Sequence, residues 1–196
     1  MTIKHVRKIY FRLYMSYYNS EDKIVNMLLA FMNQIQAMYH FKSLGRKVDF
    51  TIVHLELMKA SAFPEHGGER LELLTEFCKY QVKYYFNMFE ASQLINTIFC
   101  LQSRVNIQDD SNPNHWDIAL LLSSLDFYTG NSKVTMGLAP EKGVCDKLYN
   151  CVIGEIGTSE TATKPYPSTG FTSAFVAAHE IGHNLGMPHD DVAGKM

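Results

Sequence analysis

The chain has 196 residues, 46% of them hydrophobic and 12% aromatic, which is enough for one domain with its own core and too apolar for a disordered tail. Eighteen Lys and Arg against twenty Asp and Glu give no electrostatic reason to expect a nucleic-acid or membrane-surface partner, so a protein or small-molecule partner is expected. The best apolar run, around Met27 to Met32, is bounded by Asn26 and Asn33 and is far short of the roughly eighteen residues of a spanning helix; Lys4, Arg7, Lys8 and Arg12 interrupt any apolar signal segment at the start.

Apolar residues at Ile24, Leu28, Phe31, Met32, Ile35 and Met38 recur at three- and four-residue spacing and predict a helix over Ser20 to Tyr39. Ser20 suits its N-cap, and Glu21 and Asp22 suit its positive first turn. After a loop closed by Gly45, Val48 to Leu57 is β-branched and aromatic with apolar side chains on both alternating faces, which predicts a central strand covered on both sides. Pro64 and Gly67-Gly68 mark a loop, followed by a second amphipathic helix carrying Leu71, Leu74, Cys78, Val82 and Tyr85. Asp117 to Ser124 reads as a buried strand. From Asp126 to Thr172, repeated Gly and Pro break any long element, so short edge strands are expected. A last helix runs from about Ser173 to Leu185 and is closed by Gly186. The order is that of an α/β (α+β) chain, without repeats or a linker, in a single domain over residues 1–196.

The four cysteines, Cys78, Cys100, Cys145 and Cys151, lack paired CxxC spacings, so they are buried thiols or form one or two bridges. His5, His40, His54 and His66 are scattered through different elements and are expected as surface or satisfied histidines; Tyr80, Tyr84 and Tyr85 are expected to pack.

The informative stretch is His179-Glu-Ile-Gly-His-Asn-Leu-Gly-Met-Pro-His-Asp190. On a helix, His179 and His183 share one face about 6 Å apart along the axis, so two imidazoles can hold one metal. Gly186 permits a sharp turn and Pro188 stiffens the return, which brings His189 back as a third nitrogen ligand. Three neutral imidazoles with an open fourth position describe a catalytic zinc site. Glu180 projects beside the metal, within reach of a water in that position, as a general base suited to peptide-bond hydrolysis. HExxH alone is moderately specific; the extended form with Gly186, His189 and Asp190 is far more so.

These residues resemble the metzincin zinc endopeptidases, and Asp190 after the third His points to the adamalysin (reprolysin, M12B) branch, with an ADAMTS-like catalytic domain fitting best. The resemblance extends to Glu76 through Gln81, His115 through Leu120, Met136 through Cys145, Cys151 and Ala174 through Ala178. It implies a mixed five-stranded sheet with flanking helices and an active-site helix. It also implies an edge strand over Met136, Gly137, Leu138 and Ala139 to which an extended protein or peptide substrate adds as a further strand. The Cys78 position usually pairs with that of Cys151, and the Cys145 position with a cysteine beyond the third His, which the sequence to Met196 does not supply. Asp117 matches one acidic residue of the family's Ca2+ site, whereas Lys8 to Tyr14 offers no counterpart for the other.

Relative to that family, the sequence is expected to lack the lower C-terminal subdomain with its methionine turn, and to carry an insertion over 87–108. The family is exported, which implies an extracellular or matrix protein substrate, although no signal peptide is read here. The competing reading is a catalytically inactive metal-binding fragment acting as a binding or decoy module. A closed structural zinc domain is disfavoured, because three His and an adjacent Glu leave the site open.

Overall fold

The computed structural model describes residues 8–11, 20–57, 62–90, 116–156 and 172–190. Three helices, α1 (Glu21–Met38), α2 (Arg70–Glu90) and α3 (Thr172–Asn184), flank a sheet of five short strands. These are β1 (Lys8–Phe11), β2 (His54–Leu57), β3 (Ala119–Ser123), β4 (Gly137–Leu138) and β5 (Cys151–Glu155). Their order is β2-β1-β3-β5-β4, parallel throughout except for β4, which runs antiparallel to β5 at one edge.

Side-chain alternation along the two inner strands divides the core. Leu120, Leu122 and Val152 point to the face covered by α1 and α3, where they meet Ile24, Leu28, Phe31, Ile35, Ala177 and Ile181. Ala119, Leu121, Cys151 and Ile153 point to the opposite face, against Leu73, Leu74, Phe77 and Cys78 of α2. Every residue of β3 and β5 is buried, as suits parallel strands sandwiched between helices. Truncating a residue such as Leu121, which is 0% exposed, would cost about 2–5 kcal/mol through lost transfer energy and the cavity left behind. On the α2 face, Cys78 and Cys151 form a disulfide that ties the helix to the sheet.

α1 begins at Ser20, whose hydroxyl accepts from the Lys23 N–H, with Glu21 and Asp22 in the first turn. Two expectations need correction. Val48 to Leu57 is not a central strand: its strand is limited to His54–Leu57, half-buried, at the sheet edge, because β1 takes the inner place beside β3. The segment before it is held instead by the Gln36 side-chain amide, which donates to the Val48 carbonyl and accepts from the Phe50 N–H. The glycine-rich region beyond Asp126 does supply the edge strand β4, but also β5, which is an interior strand and not a short edge piece.

The first four residues of the segment expected as an insertion, 87–90, continue α2; the rest of 87–108, including Cys100, lies outside the described residues, as do His5 and the side chains of Tyr84 and Tyr85. Among the described residues no helix is long and apolar enough to cross a membrane.

Candidate metal centre

Helix α3 lies across the sheet with Ala174, Ala177 and Ile181 in the core, which turns His179 and His183 toward the surface on the other side. It closes in a Schellman turn. The Gly186 N–H donates to the His183 carbonyl, the Met187 N–H donates to the Gly182 carbonyl, and Gly186 takes φ +98°. This reversal returns the chain and delivers His189 to the two helical histidines.

The three Nε2 atoms converge: 2.9 Å from His183 to His179, 2.9 Å from His183 to His189 and 3.1 Å from His179 to His189. Nitrogens bound at 2.0–2.1 Å to one tetrahedral ion stand roughly 3.3 Å apart, so the spacing fits a single zinc-sized cation. The donor set fits as well. His183 Nδ1 lies 2.8 Å from the Met187 carbonyl oxygen and must donate to it, which leaves Nε2 of the neutral ring as a lone pair aimed at the other two rings. His179 is held below the ordinary imidazole range by burial first, and then by the charges of His183 and His189, which favours the neutral, ligating form. Among the described residues this is the one group of three metal-capable side chains, and its outer side is open to solvent.

Glu180 faces the sheet edge and not solvent; it is 8% exposed. Burial pushes its carboxyl up to about 7, opposed by the positive charges of His183 and Arg70. It packs on β4 where that strand has no side chain: a Cβ on Gly137 would stand 2.6 Å from Glu180 Cγ, 2.9 Å from Val176 Cγ1 and 3.0 Å from Glu180 Oε1. Glycine is therefore required at this close approach. The residues Met136, Gly137, Leu138 and Ala139 form the rim of the sheet beside Glu180, with the Glu155 N–H donating to the Met136 carbonyl across to β5.

Further contacts lock the helix in place. The hydroxyl of Tyr39, the C-cap residue of α1, donates to the Ala178 carbonyl at 2.8 Å, one residue before the first histidine, and its burial raises the phenol above its usual range. Asn184, fully buried, donates through Nδ2 to the carbonyls of Pro140, at 3.1 Å, and Tyr149, at 2.8 Å, while the Lys142 N–H donates to the His183 carbonyl. These bonds fasten the end of α3 to the loop that follows β4. Tyr39, Asn184, Gly137 as a steric partner, and Arg70 carry no periodic signal in the sequence; the one local sign is the amide of Asn184 immediately after His183.

The remaining predicted residues sit elsewhere. Asp117 precedes β3, half-buried, and among the described residues it belongs to no group of three metal-capable side chains. Cys145 is exposed on the turn before β5. His40 pairs with Asp49 and His66 with Glu72, His54 lies on β2, and Tyr80 packs on Phe63.

A mixed sheet with one antiparallel edge strand, and a helix whose two histidines meet a third from the turn beyond it beside a buried carboxylate, define a metallopeptidase. The chain belongs to the M12B reprolysin-like metallo-peptidases, whose family model matches residues 25–190. It is 26% identical over 179 residues to a disintegrin and metalloproteinase with thrombospondin motifs 7 of Mus musculus, covering 88% of this chain and 9% of that protein. To the Homo sapiens protein of the same name numbered 6 it is 28% identical over 184 residues, covering 91% of this chain and 14% of that one. The chain thus spans about a tenth of the length of these relatives. In fold it is similar to a zinc-dependent peptidase from Methanocorpusculum labreanum, with TM-score 0.50 at 14% identity over 94% of this chain and 83% of that one.

Proposed function

We propose that this domain is a zinc-dependent endopeptidase in which His179, His183 and His189 hold Zn2+ and Glu180 is the general base. The carrying observation is the convergence of three Nε2 atoms within 3.1 Å of one another beside a carboxylate buried against the sheet edge. Bound there, zinc supplies a Lewis acid at the open side of the site. A peptide lies along Met136 to Ala139 as an added antiparallel strand, its backbone groups paired with the strand rim. Glu180 takes a proton from the attacking water as the oxygen bonds to the scissile carbonyl carbon, and returns it to the amine as the C–N bond breaks. Its burial keeps the carboxylate basic enough to accept that proton, and Gly137 lets it lie beside the peptide's backbone.

The relatives, named as metalloproteinases, support a protein substrate, and the disulfide supports an oxidising, extracellular setting for it. The experiment is cleavage of a generic unfolded protein by the purified chain with zinc, with a chelator and with Glu180→Ala. Cleavage abolished by both supports the reading. Zinc binding without cleavage in the unaltered chain overturns it in favour of a metal-binding module.

A further inference from the structure

Near the rim of β4 stands a cation to which the proposed hydrolysis assigns no role. Arg70, the first residue of α2, is half-buried, and its Nη1 donates to the Thr135 hydroxyl at 2.5 Å. Its backbone is fixed by a hydrogen bond from the Arg70 N–H to the Tyr128 carbonyl. Thr135 stands two residues before Gly137, the position packed on Glu180, so it lies roughly 7 Å along the chain from that contact at the rise of an extended strand.

Four acidic residues of α2, its start and the Asp126 turn are engaged elsewhere. Glu69 accepts from the Glu72 N–H, Glu72 pairs with His66, Glu76 with Lys79, and Asp126 with Lys133. Among the described residues no carboxylate lies within ion-pair distance of the guanidinium, although its charge is felt by Glu180. A guanidinium with most of its N–H groups unspent, fixed in place by one hydroxyl near the rim of β4, can still pair with a carboxylate.

We propose that Arg70, held by Thr135, is a specificity-determining residue that receives an acidic side chain of the bound peptide two or three residues from the scissile bond. The inference rests on the endopeptidase reading and names the substrate class for the strand rim of β4. The alternation of a bound strand puts every second side chain toward the same wall, so the preference falls on one position and not on its neighbours.

The test uses a set of peptides in which Asp, Asn or Lys is scanned through three positions on either side of one cleavable bond. Cleavage is followed with the zinc-loaded chain, and binding is followed by fluorescence anisotropy with the uncleaving Glu180→Gln chain. At one position the unaltered chain should favour Asp over Asn about fivefold, the worth of a partly exposed ion pair. Arg70→Gln should bring that ratio to about one, Arg70→Lys should retain part of it, and Arg70→Glu should turn the preference to Lys. An Asp/Asn ratio that stays the same in Arg70→Gln and Arg70→Glu, in variants with unchanged circular dichroism and zinc content, overturns the proposal. If the unaltered chain cuts none of the peptides, the endopeptidase reading fails, and the binding arm still decides whether Arg70 selects an acidic side chain.

Discussion

His183 Nδ1 lies 2.8 Å from the carbonyl oxygen of Met187, a residue beyond the helix it belongs to. That bond fixes which ring nitrogen faces the other two imidazoles, and it exists because Gly186 turns the chain at φ +98°. Gly186→Ala forces a side chain into a left-handed backbone, where its Cβ would also meet Lys142 Cγ at 3.2 Å. The variant should lose about 1–2 kcal/mol of stability and bind zinc about 10–100-fold more weakly, read by thermal melts and competition with a chromogenic chelator.

Gly137→Ala acts on Glu180 and not on the three histidines. Its Cβ would drive against Glu180 and Val176, so kcat should fall about 10–100-fold while zinc affinity stays within about twofold. The stability cost, about 1–3 kcal/mol from overpacking, should shrink when Glu180→Ala removes one of the two colliding side chains. Equal costs in both backgrounds would show that the contact does not exist.

The second buried carboxylate makes stability depend on pH. Glu155 ends β5 with its Oε1 accepting from the Phe127 N–H, and its carboxyl is pushed up to about 7, by burial first, with Asp126 adding to the rise and Lys133 opposing it. The folded state therefore holds this proton more tightly than the unfolded state, whose value is 4.5. The contribution to stability is largest below pH 4.5 and is lost as pH rises through 7. Glu155→Gln keeps the acceptor and removes the charge. Its stability advantage over the unaltered chain should grow by about 2 kcal/mol between pH 5 and pH 8 in urea titrations; a constant difference contradicts this.

The Cys78–Cys151 bridge closes a loop with a sequence separation of 73 and joins α2 to an interior strand. Replacing both with Ser should lower stability by about 2–4 kcal/mol, measured by denaturant midpoint under oxidising conditions. The same change should leave the zinc stoichiometry as it was, since the bridge lies on the sheet face opposite α3.

How legible these features were depended on whether they are local. The helical spacing of Ile24 to Met38, the cap at Ser20 and the closing Gly186 are local signals, and the elements formed where they point. The set His179, Glu180, His183, Gly186 and His189 was readable for the same reason, since eleven consecutive residues carry it. β1 is four residues, Lys8 to Phe11, whose place beside β3 depends on pairing with residues more than a hundred positions away. With that strand unseen, the stronger β pattern of Val48 to Leu57 took a central place that the sheet gives to β1. β5 hid among glycines, one of which, Gly154, belongs to the strand itself. The contacts of Gly137 with Glu180, of Asn184 with the loop after β4, and of Arg70 with Thr135 cross between elements and leave no periodic trace.

In the proposed reaction, one zinc on three imidazoles and one carboxylate base carry out the hydrolysis. The direct measurement is a zinc titration of the metal-free chain, following bound metal and peptide cleavage together, for the unaltered protein and for Glu180→Gln. Both proteins should take up one equivalent, with cleavage rising in proportion to occupancy in the first and lower by a factor on the order of 10²–10⁴ in the second. Cleavage that persists in Glu180→Gln at full occupancy, or that is unrelated to bound zinc, would contradict the account.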